Sequence, residues 1–478
     1  MYDNYGLYID GQWRGSSDGE VKEVYDPATE AVLGTIPSAT AEDLDAALAA
    51  AQQGLEVWRK TNPWERSAKI RKVAELIRER VGEVAEIMSL ETGKPLAEAM
   101  AETNASADQF EWYAEETKRI YGQTIEGRTP DVRMTVVYQP VGVVAAFSAW
   151  NFPALLPARK IAAALGAGCA IIIKPAGEAP GSCMALIQAC HDAEIPAGVV
   201  NFVCGNSSLI APYLVRSPIV RKVSLTGSVP VGQEILHLAA DGVKKVTMEL
   251  GGHGPVLVFD DADVEAAARV CAATKFRNCG QVCISPSRFF VHEDAYEQFS
   301  KVFAEVANGL KVGCGTEEGV QMGPMANARG LATAKEMIQD AIDRGAELLA
   351  GGGTPPGLDK GFFLQPTVLG HIPDDAKIMT EEPFAPVAPI TTFRELDEVL
   401  ERANALPFGL AGYIFTSSLR NAHVAAESLE CGMVGVNEML LATAEAPFGG
   451  IKESGMGREG GSLGIKDYLV PKYIKMKL

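Results

Sequence analysis

At 478 residues, with 47% apolar and 22% charged side chains, the chain exceeds what one simple core serves, and two or three domains are expected. A formal charge of −18 excludes the basic footprint that nucleic acid requires. The longest apolar run, "IAAALGAGCAIII" at 161–173, stops at Lys174 and is too short for a bilayer, so no membrane partner is expected.

The first residues, "MYDNYGLYIDGQWRGSSDGE", carry neither a basic region followed by an apolar stretch nor an Arg/Ser-rich presequence. Residues 40–120 read as helices. "TAEDLDAALAAAQQGLEVWRK" opens with Thr40 as a cap and acids in the first turn, and "PWERSAKIRKVAELIRERVGEVAEIMSLETGKP" follows as a second helical stretch. "DVRMTVVY" at 131–138 alternates like a strand. From residue 140 short β-branched runs ("VGVVAAF", "CAIIIKP", "VVNFVC", "VRKVSLTG") alternate with helical stretches, the rhythm of a parallel α/β sheet. A second such series runs from about 250 to 440 with "GPVLVF", "SRFFVH" and "AGYIFTS". The last residues, "YLVPKYIKMKL", read as a terminal strand suited to another sheet's edge. The fold class is therefore α/β: a Rossmann-like cofactor domain, a second α/β catalytic domain and a small β arm for oligomerisation. The expected boundaries are 1–121 plus 140–248 for the first domain, with part of 445–466 returning to it. The second spans 249–444, and the arm 122–139 plus 467–478.

Five segments interrupt this rhythm at strand ends, where α/β sites are built. In "AFSAWNFPALLPARK", Asn151 follows a strand and Pro153 suits the first turn of a helix; the asparagine alone reads equally as a cap. "VSLTGSVPVG" offers a turn at Gly227-Ser228 that can present amides to a phosphate. Glu249 in "KKVTMELGGHGP" stands beside a glycine pair, as a base in a cleft or an ordinary turn acid would. "MTEEPFAPV" holds the acidic pair Glu381-Glu382. "KFRNCGQVCISPSRFF" places Cys279 and Cys283 four residues apart, a spacing open to a zinc site, a redox pair, or a nucleophile beside a core thiol. Zinc fails for want of two further ligands at zinc spacing, and no metal is expected.

In order, "WNFP", "TGS…VG", "MELGG", "GQVC", "EEPF" and "PFGGIKESGMGREG" resemble the NAD(P)-dependent aldehyde dehydrogenases over nearly the whole length. "EWYAEETKRIYGQTI", "LPFGLAGY" and the C-terminal motif look most like the succinate-semialdehyde branch, which also holds enzymes for glutarate and 2-oxoglutarate semialdehyde. The resemblance implies a thiolate nucleophile at Cys283, an oxyanion donor at Asn151, a general base at Glu249 and a catalytic-site lysine at Lys160. It implies NAD or NADP as cofactor. Ser148, Trp150, Lys174, Gly177, Gly227, Ser228, Glu382 and Phe384 would hold it, with Lys174 at the adenosine ribose, Gly227-Ser228 at the pyrophosphate and Glu382 at the nicotinamide ribose. Where relatives have "KPxE", this chain reads "KPAGE"; Gly177 replaces a carboxylate that repels a 2′-phosphate, so NADP is expected to be tolerated.

Arg159 lies eight residues after Asn151, about 12 Å of helical rise, and its side chain leans back toward the helix start. With Arg277 it can fork a substrate carboxylate, the role the branch gives these positions, with Thr443 nearest to its hydroxyl residue. The alternative is internal ion pairing of both arginines. The expected partners are a small aldehyde and a second copy of the chain, as homodimer or homotetramer, in the reducing cytoplasm that nine unpatterned cysteines favour. Glu249 argues against a CoA-acylating relative, and the joint presence of Asn151, Glu249 and Cys283 against a structural one. Cys279 is expected to be a core filler on the helix leading into the site, with a reversible Cys279–Cys283 disulfide as a second reading.

Overall fold

A computed structural model describes Tyr2 and residues 5–478; Met1, Asp3 and Asn4, in the stretch read for targeting signals, lie outside the described residues. Two sheets organise the chain. The first runs, in spatial order, Gln12–Arg14, Leu7–Ile9, Val200–Phe202, Ala170–Lys174, Val143–Phe147, Val220–Thr226, Lys245–Glu249 and Gly455–Met456. Its five central strands are parallel, and the late strand Gly455–Met456 joins antiparallel to Lys245–Glu249. Val143–Phe147 is apolar and buried along its whole length, and Ala170–Lys174 is so up to its final lysine, as strands at the centre of a parallel sheet are. The second sheet runs Glu347–Ala350, Thr367–Gly370, Val387–Phe393, Pro286–His292, Gly254–Val258, Ala411–Phe415 and Met433–Val436. Each sheet has its own buried core, one centred on Val143–Ile173 and the other on Val256–Phe290.

The helical N-terminal region is as the sequence reads, with one difference. Thr40 accepts from the Asp43 amide and Asp43 answers to the Thr40 amide, a capping box for Ala41–Trp58. The second stretch is two helices, Pro63–Glu79 and Val81–Thr92, broken at Arg80. Gly93 then closes the second in the left-handed conformation, where glycine pays no Cβ penalty. The helix Leu96–Thr117 follows and packs against Leu155–Ala167.

The terminal strand Leu469–Lys477 pairs antiparallel with Val132–Pro140, which also pairs with Gln123–Glu126. Tyr138, Tyr473 and Met476 are exposed on this small sheet. Among the described residues, no helix is long and apolar enough to cross a membrane.

Candidate active site

The ends of the two sheets face each other across the motif loops. Between them lies a cavity of about 220 Å³ lined by Phe152, Arg159, Arg277, Cys283, Phe448 and Lys94 among others. Cys283 follows the helix Val264–Phe276 and the turn Arg277–Gly280. That turn corrects the sequence reading of Cys279, which lies beyond the helix. Asn278 (φ 49°), Cys279 (φ 55°) and Gly280 (φ 70°) are all left-handed. Each non-glycine residue there costs about 1–2 kcal/mol, least for asparagine. Cys279 is buried and both cysteines are free thiols. Burial pushes the Cys279 thiol well up, as befits packing.

Burial also pushes Cys283 up to about 12; Arg159 pulls the other way, and the carboxylates Glu382 and Glu249 push it further. Such a thiol needs a base to lose its proton at neutral pH. Glu249, at the end of its strand, is 2% exposed, and neither carboxylate oxygen has a hydrogen-bond partner. Burial holds its pKa well above the usual range; Glu459 raises it further, whereas Lys160, Arg159 and Arg458 oppose this. A buried carboxyl with raised proton affinity and no hydrogen-bond partner is equipped to move protons.

Lys160 is fully buried rather than on the helix surface. Its Nζ donates to Glu459 Oε1 at 2.5 Å, Thr226 Oγ1 at 2.8 Å and Ser224 Oγ at 3.2 Å. Glu459 was not singled out from sequence although it stands in the quoted "GMGREG". Its one signal was its place as an acid inside a glycine-rich motif.

The glycines of "MELGG" have steric reasons. A Cβ on Gly251 would lie 2.4 Å from Glu382 Oε2, and one on Gly252 would lie 2.8 Å from the Cys283 carbonyl oxygen. Gly252 also donates its N–H to Glu382 Oε1 at 3.0 Å. Burial raises Glu382 to about 7, against the Gly252 bond and nearby Lys275. A Cβ on Gly449 of "PFGG" would lie 2.8 Å from Glu249 Oε1.

Pro153 stands just ahead of its helix, which begins at Leu155, so the expected first-turn proline is displaced by two residues. The helix is capped from outside: Glu102 Oε1 accepts from the Ala154 and Leu155 amides at 3.0 and 3.1 Å. From this helix Arg159 projects into the cavity, its guanidinium 4.1 Å above the Phe448 ring, and Arg277 enters over Phe152 at 5.6 Å. Neither Nε has a hydrogen-bond partner, and among the described residues neither arginine is in an ion pair. Thr443 is half-buried, and the residues of its loop on the cavity wall are Leu440 and Ala442.

On the opposite side, Trp150 meets Phe384 edge to face at 5.6 Å. The Ser148 hydroxyl is buried without a partner, and Lys174 is buried with Nζ on the Pro175 carbonyl at 2.9 Å. Ser228 begins the helix Val229–Ala240, whereas the Gly227 N–H is taken by the Glu249 carbonyl at 3.0 Å. A Cβ on Gly177 would meet nothing within 4 Å, and Glu178 beside it is exposed.

Residues 13–474 match the aldehyde dehydrogenase family. The chain belongs to that family. It is 43% identical over 467 residues to the glutarate-semialdehyde dehydrogenase of Pseudomonas putida, covering 98% of this chain and 96% of that one. It is 41% identical over 466 residues to the NADP+-dependent succinate-semialdehyde dehydrogenase of Escherichia coli, with 98% and 96% covered. The crystal structure of the succinate-semialdehyde dehydrogenase of Burkholderia pseudomallei superposes with a TM-score of 0.97 at 42% identity, covering 99% of this chain and 98% of that one. The protein is an aldehyde dehydrogenase and an NAD(P)-dependent oxidoreductase, as the ordered motifs imply.

Proposed function

We propose that this aldehyde dehydrogenase oxidises a short semialdehyde bearing a carboxylate, such as succinate semialdehyde, through a thioester on Cys283. The observation that carries the substrate class is the pair of arginines, Arg159 and Arg277, lining the same cavity as Cys283 with no carboxylate among the described residues paired to either. Buried guanidinium groups without a partner are costly, and a substrate acid supplies what the fold withholds. Glutarate and 2-oxoglutarate semialdehydes share that chemistry.

The chain's own residues perform the following steps. Glu249 takes the Cys283 proton, the thiolate adds to the carbonyl carbon, and the side-chain amide of Asn151 with the Cys283 N–H stabilises the oxyanion. NAD or NADP, when bound, accepts the hydride. Once Glu249 has passed that first proton to solvent, it takes a proton from water as the water attacks the thioester; the Cys283 thiolate leaves, the carboxylic acid is released, and Lys160 with Glu459 sets the charge against which Glu249 works. Hydrolysis rather than transfer to CoA follows from this base. For the dinucleotide, Lys174 and Ser148 supply buried polar groups, Ser228 opens a helix toward the pyrophosphate, and Glu382 accepts from the nicotinamide ribose beside Phe384 and Trp150. The open space at Gly177 admits a 2′-phosphate, so NADP is tolerated beside NAD.

The same reading assigns 1–121 plus 140–248 to the cofactor domain, 249–444 to the catalytic domain, and 122–139 plus 467–478 to a β arm that joins copies into a homodimer or homotetramer in the cytoplasm. The substrate assignment is tested by Arg159→Ala. KM for succinate semialdehyde should rise about 100-fold, in the range for truncating one partner of a buried charge pair, while kcat/KM for butanal changes little. An unchanged KM for the semialdehyde would end the carboxylate reading.

A further inference from the structure

Asn151 is held from three directions by groups that the reaction scheme leaves without a task. Its backbone oxygen accepts from Lys94 Nζ and from Asn278 Nδ2, each at 2.9 Å. Its side-chain Nδ2 donates to the Gln281 carbonyl at 3.1 Å, and Asn278 Nδ2 donates to that same carbonyl at 3.1 Å. One carboxamide thus bridges two carbonyls, that of Asn151 and that of Gln281, two residues before the nucleophile. Asn151, Asn278, Gln281 and Lys94 are each no more than 3% exposed, so water does not compete for these bonds.

The bridge stands on the left-handed turn described above. Asn278 N–H donates to Glu98 Oε2 at 2.9 Å, and Gln281 Nε2 and N–H both return to the Asn278 carbonyl, at 3.1 and 3.0 Å. Backbone strain of this kind persists only where the surroundings over-determine it, and it gathers at working sites. Behind Asn151, Lys94 forms a buried ion pair with Glu102, the carboxylate that caps the helix carrying Arg159 and Lys160. The elements converge on one atom set. An amide nitrogen has two N–H groups; with one of Asn151's fixed on Gln281, the other has a single direction left.

We propose that Asn278, backed by the Lys94–Glu102 pair, is a positioning residue that fixes the free N–H of Asn151 relative to Cys283 at the place where the oxyanion forms. This rests on the assignment of Asn151 as oxyanion donor. A displacement of about 1 Å at such a donor costs on the order of 100-fold in rate.

The experiment is a double-mutant cycle read on the first-turnover burst of NAD(P)H, with saturating succinate semialdehyde and nucleotide. Asn278→Gly keeps the left-handed backbone and removes only the carboxamide. Asn151→Ala should slow the burst by about 10²–10³, the usual cost of one oxyanion donor. Asn278→Gly should slow it about tenfold or more in the wild-type background and less than about twofold in the Asn151→Ala background, with KM nearly unchanged, because it acts only through Asn151. An equal factor in both backgrounds, or no slowing in wild type, overturns the proposal and leaves the oxyanion assignment standing. If Asn151→Ala itself leaves the burst unchanged, the assignment fails and the proposal falls with it. Should Asn278→Gly not fold, Lys94→Met/Glu102→Gln runs through the same cycle with the same criteria, since glutamine preserves the cap on Ala154 and Leu155.

Discussion

The aldehyde side and the nucleotide side of the site are built on opposite principles. Around Asn151 the polar atoms of Asn278, Gln281 and Lys94 are buried and bonded, the backbone is strained, and at Gly251 and Gly252 a Cβ would collide within 3 Å. On the nucleotide side Lys174 is buried, but at Gly177 the space is open and a Cβ would touch nothing. Bond-making chemistry needs atoms held to fractions of an ångström, whereas a dinucleotide spreads its recognition over many weak contacts. The two carboxylates repeat the contrast: Glu382 is tethered to the Gly252 amide, and Glu249 has no tether at all. On the proposed assignment the tethered acid holds the ligand and the untethered one carries protons.

Breaking the aldehyde side should cost most. Cys283→Ala should lower kcat by about 10⁵–10⁶, in line with the loss of other catalytic nucleophiles, while nucleotide binding followed by fluorescence stays intact. Glu249→Gln should lower steady-state turnover by about 10²–10⁴. With deacylation slowed more than hydride transfer, the burst of NAD(P)H should stand out further above the steady state; a loss of burst and turnover in equal measure would assign the base to the first half-reaction alone. The nucleotide side should respond more mildly. Gly177→Glu places a carboxylate in the open space and should reduce kcat/KM for NADP by about tenfold, equivalent to about 1.4 kcal/mol of like-charge opposition, with NAD little affected. A wild-type enzyme already specific for NAD, and unaltered by this change, would refute the reading of Gly177.

The smallest effect concerns pH. Glu382 is raised to about 7 in the nucleotide-free protein, so its carboxylate form is lost as pH falls through 7. If that form accepts the ribose hydroxyls, the Kd of the nucleotide should rise toward acid, by less than about tenfold per pH unit. Glu382→Gln should flatten the profile; an identical slope in that variant would remove Glu382 from the ribose.

The strand–helix rhythm after residue 140 and the terminal strand were legible because buried parallel strands and edge strands leave period and composition signals. Asn151, Glu249 and Cys283 were legible because each stands in a motif with small residues around it. The sequence could not show Asn278 as a staple, because its partners are backbone carbonyls of Asn151 and Gln281, and backbone oxygens carry no letter. Glu102 was equally hidden: it is one of 61 acidic residues, and its capping of a helix more than fifty residues away depends on how two helices pack. The turn at 277–280 misled the reading of Cys279, since a four-residue spacing has the same appearance on a helix and across a left-handed bend.

The strand Gly455–Met456 completes the first sheet, and Glu459 reaches Lys160 across 299 positions. On the proposed assignment, a chain still being synthesised carries Cys283, Asn151 and Glu249 long before it carries the residues that surround Glu249. Until the last motif has emerged, the edge of Lys245–Glu249 stays open and the amine of Lys160 lacks its carboxylate. Contacts of such sequence separation form late. The surroundings of Glu249 are therefore complete only once these distant parts of the chain have met.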